Sequence, residues 1–179
     1  MKLNIGSGYR KKEGFVNIDS NIKTNPDIHL DITKYNLPYE DETIDFIECD
    51  NVIEHLDEEG IEFIMGEFHR VIKITGKILI RVPYKTSAGA FYWRHKTFFG
   101  YYGLRDFDID QGEGIQVKHL KKFYFKRQLE FKGFFRKILD KIFNLPKLCT
   151  LYDDTGLCFL FPALCVRYYL RKDRRTKKY

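Results

Sequence analysis

The sequence contains no apolar run close to the roughly 20 residues that a membrane-spanning helix requires. Its first residues, MKLNIGSG, also lack the charged start and following apolar stretch that are typical of a secretory signal. These absences argue against an integral membrane protein and a secreted protein. We therefore expect a cytoplasmic protein.

Cysteine and histidine residues at metal-binding spacing are also absent. The four cysteines form no CxxC pair, and each lies in or near an apolar segment: Cys49, Cys149, Cys158 and Cys165. This arrangement argues against a zinc site or a disulfide framework and favours buried free thiols. The five histidines show no HxxxH spacing, so the sequence predicts no metal site.

Length and charge set the next limits. With 179 residues, of which 44% are hydrophobic, the chain can form one sizeable core, so we expect a single domain. Residues 1–62 contain 15 acidic and 6 basic residues, a balance of −9; since the whole chain carries +6, residues 63–179 carry +15. The acidic part disfavours a pyrophosphate ligand, whereas the basic part could face an acidic substrate, nucleic acid or an anionic membrane surface.

Short apolar runs bounded by turn residues predict buried parallel strands, because such strands are covered on both faces and lack polar alternation. There are five of these runs: Lys2–Ile5, Phe15–Asp19, Asp27–Asp31, Ile44–Asp50 and Lys77–Val82. The segment DEEGIEFIMGEFHRVIKITG lies between the last two and predicts a helix that Gly76 can end. Its apolar residues recur at helical spacing: Ile61, Ile64, Phe68, Val71 and Ile72. The pattern is typical of an α/β protein.

The chain after Pro83 has a different composition. Eight of the 18 residues in 90–107 are Phe, Tyr or Trp, and we interpret this segment as an active-site cover or a short helical insertion. Residues 115–125 and 163–172 predict a closing pair of strands, separated by an amphipathic helix within 131–147. The apolar face of that helix is formed by Phe134, Phe135, Ile138, Leu139, Ile142 and Phe143. We expect one domain over 1–172, with the strand pair and helix in 113–172, and a basic tail at 173–179.

A glycine turn follows the first predicted strand, in the segment LNIGSGYRKKEGFVNIDSN. Gly6 and Gly8 would let the backbone approach a ligand closely. The dinucleotide fingerprint GxGxxG fails here because position 11 is Lys, and no room remains before Phe15 for a phosphate-binding helix. The turn therefore argues against a nicotinamide or flavin dinucleotide.

Two acidic residues end the next strands. Asp19 closes the second strand, where its carboxylate could accept hydrogen bonds from both hydroxyls of a ribose, and Asp31 closes the third. Either acid alone could be a turn residue. Together with the glycine turn, they predict a pocket for adenosine.

Several segments in this order resemble one family: LNIGSG, GFVNID, LDITKYNLPYEDETIDFIECDNVIEHL, EFHRVIKITGKILIRVPY and FPALCVRYYL. They are similar to small class I S-adenosylmethionine-dependent methyltransferases that are related to type 11 methyltransferase domains. The resemblance implies S-adenosylmethionine as cofactor. It also implies a doubly wound, Rossmann-like, mostly parallel sheet of seven strands, with the last strand antiparallel and the first helix shortened.

The resemblance also implies roles for individual residues. Gly6, Ser7 and Gly8 would border the methionine end of the cofactor, and Asp19 would bind its ribose. Asp31 would lie near the adenine, with Ile32 against the adenine face. Asn51 and the residues that follow it, to His55, would lie beside the methyl donor. A sulfonium cofactor has no phosphate, which agrees with the missing helix and the acidic surroundings.

Methyl transfer from a sulfonium is an in-line displacement, so the protein mainly aligns the reacting atoms, and a base is needed only if the nucleophile carries a proton. The candidates are His55, Glu54 and His95. Each has a structural alternative: His55 could bond the backbone at a helix start, Glu54 could balance a helix N-terminus, and His95 could pack among aromatic side chains.

The methyl acceptor is not identified by the sequence. An acidic small molecule or a lipid-linked molecule is our first expectation, because the amphipathic segment within 131–147 could lie on an anionic membrane. The alternative is a catalytically eroded methyltransferase-like module that binds nucleic acid or a protein partner through its basic half.

Overall fold

The computed structural model describes residues 1–104, 115–116, 122–125, 137–138, 141–160 and 163–172. Eight strands follow in chain order: β1 Lys2–Ile5, β2 Val16–Asp19, β3 Ile28–His29, β4 Ile44–Asp50, β5 Ile72–Pro83, β6 Ile115–Gln116, β7 Lys122–Phe125 and β8 Ala163–Lys172. The α-helices are α1 Glu58–Val71, α2 Pro146–Asp154 and α3 Leu157–Leu160. Short 3₁₀ helices occur at Ile22–Thr24, Ile53–His55 and Ala88–Phe91.

The strands form one mixed sheet with six strands in its centre, in the order β3-β2-β1-β4-β5-β8. The first five are parallel, and β8 is antiparallel to β5. The segments β6 and β7 both pair with β8 in the antiparallel sense. The predicted Rossmann-like α/β fold and its antiparallel last strand are confirmed, whereas the predicted count of seven strands is not.

The connection between β1 and β2 contains turns in place of the shortened helix that the family resemblance implies. Asn17 on β2 holds this connection: its Oδ1 accepts from the Lys12 backbone N–H at 2.8 Å and from Asn4 Nδ2 at 2.8 Å. Asp27 in turn accepts from the backbone N–H and the side-chain amide of Asn17, at 2.8 and 2.7 Å. Side-chain hydrogen bonds, in place of the backbone hydrogen bonds of a helix, thus fix the conformation of this connection.

The boundary between α1 and β5 differs from the predicted one. The helix begins after Asp57, whose side chain accepts from the Gly60 backbone N–H, and ends at Val71 instead of Gly76. Strand β5 already starts at Ile72, and its register against β4 shifts between Ile44 and Phe46. The β-branched residues that follow the helix favour extended backbone, which explains the earlier boundary.

The buried apolar side chains form one cluster, to which the sheet, α1 and the later part of the chain all contribute. The predicted apolar face of α1 is buried: Ile61, Ile64, Phe68 and Val71. Met65, which the periodic pattern did not include, is buried with them. All four cysteines are free and buried, as predicted.

The later part of the chain is described in pieces. Residues 90–107 were predicted as a cover or helical insertion; their described part contains the end of a 3₁₀ helix followed by turns up to Leu104. Of the predicted amphipathic helix, residues 137–138 and 141–142 are helical, while Phe134, Phe135 and Leu139 lie outside the described residues, as does the tail at 173–179. No helix among the described residues is both long and apolar enough to span a membrane.

Candidate functional site

A cavity of about 250 Å³ opens at the carboxyl ends of the parallel strands, where β1 lies between β2 and β4. The strand order reverses at this point of the sheet, which is where open α/β folds bind their ligands. The lining consists of twelve residues from the ends of four strands: Gly6, Ile18, Asp19, Ser20, Leu30, Asp31, Ile32, Thr33, Asn51, Val52, His55 and Leu56. Because Lys and Arg are absent from this lining, the cavity suits a ligand without phosphate.

The glycine turn closes one side of the cavity. Gly6 has φ +62°, and a Cβ atom there would lie 2.2 Å from Cγ2 of Val52. Both the left-handed conformation and this close approach require glycine at position 6. Gly8 has φ +50° and no atom within 4 Å of an added Cβ, so only its conformation favours glycine.

Asp19 lies at the end of β2 and lines the cavity. Its Oδ2 accepts from the Gly8 backbone N–H at 2.7 Å, and its Oδ1 accepts from the Asn21 backbone N–H at 2.7 Å. A carboxylate has about four acceptor positions, so two remain for ligand hydroxyls. These free acceptor positions fit the hydroxyl donors of an adenosine ribose.

Asp31 and Ile32 follow β3 and line the opposite part of the cavity. Asp31 accepts from the hydroxyl of Thr33 at 2.7 Å and pairs with Lys34. These interactions, above all the hydrogen bond from Thr33, lower the pKa of Asp31. Ile32 is buried, so the wall combines an apolar face with an acceptor, as an adenine ring would require.

Not all the predicted cofactor residues line the cavity. Gly6, Asp19, Asp31, Ile32 and Asn51 do so, whereas Ser7 and Gly8 are not part of the lining. Ser7 is buried, its backbone N–H donates to the Ile18 carbonyl, and its hydroxyl has no hydrogen-bond partner among the described residues. The backbone N–H of Gly8 is taken by Asp19.

Glu54, His55 and His95, the predicted catalytic candidates, lie together beside this cavity. The His55 and His95 rings are 4.7 Å apart between centroids, and one ligand-capable atom of each of the three side chains lies within 4.8 Å of the others. His55 lines the cavity. The spacing rule for histidines misses this cluster because His95 is 40 positions beyond His55 and reaches it only through the fold.

The three side chains have unusual surroundings. Glu54 is 1% exposed, and burial raises its pKa to about 7. Burial also lowers the pKa of His55. The Nδ1 atom of His55 contacts the Arg94 carbonyl at 3.3 Å, and that of His95 contacts the Ala90 carbonyl at 3.2 Å. The site thus contains groups that could hold or accept a proton near neutral pH.

A second cavity of about 350 Å³ lies next to the first, since both are lined by Asn51. Its other lining residues come from the end of β5, the 3₁₀ helix that follows it and the start of β8: Arg81, Pro83, Gly89, Leu164 and Cys165. Arg81 is paired with Asp50. Asn51 itself has φ +54°, which turns the chain sharply between the two cavities.

The aromatic side chains that follow β5 are not part of the lining of either cavity. Tyr84 is fully buried and donates to Asp153, so it belongs to the core. Tyr92, Trp93 and Phe98 are exposed to 48%, 77% and 53%. An aromatic-rich segment gives the same sequence signal in the core and on the surface, so the sequence alone does not separate the two.

Comparison with known proteins finds one family model that matches part of the chain. Residues 12–80 match the model of a methyltransferase domain family, described as "Methyltransferase domain". No curated protein matches the chain. The match runs from before β2 into β5 and includes four of the seven predicted cofactor residues, Asp19, Asp31, Ile32 and Asn51, but not the glycine turn.

Several solved structures share the fold. A SAM-dependent methyltransferase from Archaeoglobus fulgidus is 18% identical, with 96% of this chain and 85% of that chain covered and a TM-score of 0.65. The methyltransferase that forms a complex with the Trm112 methyltransferase activator of Haloferax volcanii is 13% identical, with coverages of 99% and 83% and a TM-score of 0.59.

Phosphoethanolamine N-methyltransferase 2 of Haemonchus contortus, in complex with S-adenosyl-L-methionine, is 13% identical. The alignment covers 97% of this chain and 48% of that one, with a TM-score of 0.56. At 13–18% identity, these matches show that the chain shares its fold with methyltransferases.

Proposed function

We propose that this chain is a class I S-adenosylmethionine-dependent methyltransferase and that it methylates a small acceptor bound in the second cavity; the partial match to a methyltransferase domain and the fold support this. One observation supports this division most directly. The first cavity has the acids and close backbone that suit an adenosine group, and the second adjoins it across Asn51. A donor in one cavity and an acceptor in the other would meet at this residue.

In this proposal Gly6 and Asn51 border the methionine end of the cofactor, Asp19 binds the ribose hydroxyls, and Asp31 and Ile32 hold the adenine. Two carboxylates line the cavity, which favours the cationic cofactor. Ser7 and Gly8 act indirectly, because their backbone N–H groups fix the turn to β2 at Ile18 and Asp19.

When bound, S-adenosylmethionine supplies a methyl group on a positively charged sulfur. The residues around Asn51 would align the acceptor with that group and exclude water. His55 lines the cofactor cavity and contacts His95, so this pair, with Glu54, is placed to take a proton from an acceptor that carries one. An acceptor without such a proton would need no base and would only have to be aligned with the methyl group.

A structure with S-adenosylhomocysteine tests the assignment of the two cavities. We expect its ribose within hydrogen-bonding distance of Asp19 and its sulfur facing the second cavity. Leu164→Trp, which fills the second cavity, should leave binding of S-adenosylhomocysteine unchanged and abolish methyl transfer. The proposal fails if the nucleoside binds elsewhere, or if Leu164→Trp retains full activity.

A lipid-linked acceptor is a second candidate, favoured by apolar side chains that are exposed near the second cavity. We define the apolar rim as five residues: Phe91, Trp93, Phe98, Phe159 and Leu160, which are 53–77% exposed. The Thr86 hydroxyl donates to the Cys158 carbonyl at 2.8 Å, which ties α3 to the segment after β5. Exposed aromatic and aliphatic groups of this kind are typical of surfaces that contact a membrane.

Labelled methyl groups distinguish the two acceptor classes. After incubation with methyl-labelled S-adenosylmethionine and a cell extract, label in the organic phase indicates a lipid-linked acceptor, and label in the aqueous phase indicates a soluble one. Flotation with anionic phosphatidylglycerol vesicles should capture the protein, and Trp93→Ser should weaken capture. Ile74→Ser, an exposed apolar residue on β5, is the matched control.

A further inference from the structure

Glu54 is a buried carboxylate without a hydrogen-bond partner among the described residues. The side chain is 1% exposed, and neither carboxylate oxygen has a hydrogen-bond partner among the described residues. Burying a carboxylate without a partner is costly, and such groups in proteins are usually paired or bind a cation. His55 and His95 are the neighbouring polar side chains that approach it.

The two histidines are both held in the same tautomer. A backbone carbonyl can only accept a hydrogen bond, so Nδ1 of His55 donates to Arg94 and Nδ1 of His95 donates to Ala90. The proton on Nδ1 leaves Nε2 of each neutral ring with a lone pair. Metal-binding histidines are typically oriented in this way, by a hydrogen bond from the other ring nitrogen to a carbonyl or carboxylate.

We propose that Glu54, His55 and His95 bind one divalent transition-metal ion, with zinc as the reference case. Two imidazoles and a carboxylate are an established donor set for zinc and for other first-row metals. One ligand-capable atom of each side chain lies within 4.8 Å of the others. Ligand atoms at zinc distances are roughly 3.3–3.6 Å apart, so the groups need to approach one another by at most about 1.5 Å.

Three protein ligands leave an open coordination position, as in catalytic zinc sites. Because His55 also lines the cofactor cavity, this position would lie at the edge of the site where methyl transfer is proposed. An oxygen of the acceptor is the ligand it suits. Since a metal-bound hydroxyl loses its proton more readily, the metal would then replace the histidine pair in promoting deprotonation. This role rests on the proposed function, whereas the metal binding itself does not.

Metal binding can be measured without methyl donor or acceptor. We would titrate the metal-free protein with zinc chloride by calorimetry and with cobalt chloride by absorption spectroscopy. The proposal predicts one ion per chain and ligand-field bands from the bound cobalt. Glu54→Gln and His95→Ala should each weaken zinc affinity by at least about 100-fold, the upper end of what a lost outer-shell partner causes.

His29→Ala is the matched control, because His29 lies on β3 with its ring exposed and bonded to the Ser20 carbonyl. It should retain zinc binding. The proposal is overturned if the wild-type protein binds no zinc at one equivalent, or if folded Glu54→Gln and His95→Ala both bind as tightly as wild type. If metal binding is absent while S-adenosylhomocysteine still binds, only the metal site fails; if both are absent, the proposed function fails too.

Discussion

The backbone N–H of Gly8 donates a 2.7 Å hydrogen bond to Oδ2 of Asp19, which joins the glycine turn to the end of β2. Asn21 holds the other carboxylate oxygen through its own backbone N–H. The acid proposed to bind ribose is therefore fixed before any ligand arrives. Such preorganisation lowers the entropic cost of binding.

Gly6→Ala should destabilise the protein more than Gly8→Ala. Both residues have positive φ, so alanine costs about 1–2 kcal/mol of unfolding free energy at either position. At position 6 the new Cβ would also collide with Val52, while position 8 is open. Urea denaturation of both variants tests this, with Gly14→Ala as an open control with φ +75°. Equal losses at positions 6 and 8 would contradict the steric argument.

Ionisation of Asp27 should make the free energy of unfolding depend on pH in the acidic range. Hydrogen bonds from Asn17, followed by the interaction with Lys11, lower the pKa of Asp27 to about 2. An aspartate in the unfolded chain titrates near 3.9, so this stabilisation is complete above about pH 4 and is lost as the pH falls towards 2. Asp27→Asn should therefore be less stable than wild type at pH 6, and the difference should shrink below pH 4. A difference that stays constant over this range would show that ionisation of Asp27 is not the cause.

The Asp153 side chain should stabilise the packing of α2 against the segment that follows β5. Its carboxylate accepts from the Tyr84 hydroxyl and the Tyr101 backbone N–H and pairs with Lys85. Asp153→Ala removes an acceptor from buried donors, and we expect a loss of about 3 kcal/mol in unfolding free energy. The neighbouring Asp154 is exposed, so Asp154→Ala should change stability by less than about 0.5 kcal/mol. Similar effects at the two positions would refute this role.

Much of the fold follows from local patterns in the sequence. Strands β1 and β4 have the predicted bounds, because short apolar runs between turn residues specify buried strands. The start of β5 does not follow from pattern alone: Ile72 fits both the helical spacing and a strand, and pairing with Ile44 decides the outcome. Local periodicity cannot express such a long-range pairing.

Some features of the candidate site could likewise be predicted from sequence, and others could not. Asp19 and Asp31 could be placed from sequence because Asp19 ends β2 and Asp31 lies just beyond β3, and parallel strands bring their carboxyl ends together. The support of the glycine turn by Asn17 and Asp27 could not, since polar contacts between loops leave no periodic signal. The approach of His95 to Glu54 likewise depends on how the chain returns after β5.

Calorimetric titration with S-adenosylhomocysteine tests the central claim most directly. We expect one site per chain with a dissociation constant in the micromolar range, weakened about 10- to 100-fold in Asp19→Asn by the loss of a charge-assisted acceptor. Asp45→Asn is the control, because Asp45 lies near the start of β4, where it pairs with Lys73 and the N-terminus. Equal binding by wild type and Asp19→Asn, or no binding by the folded wild-type protein, would contradict the account.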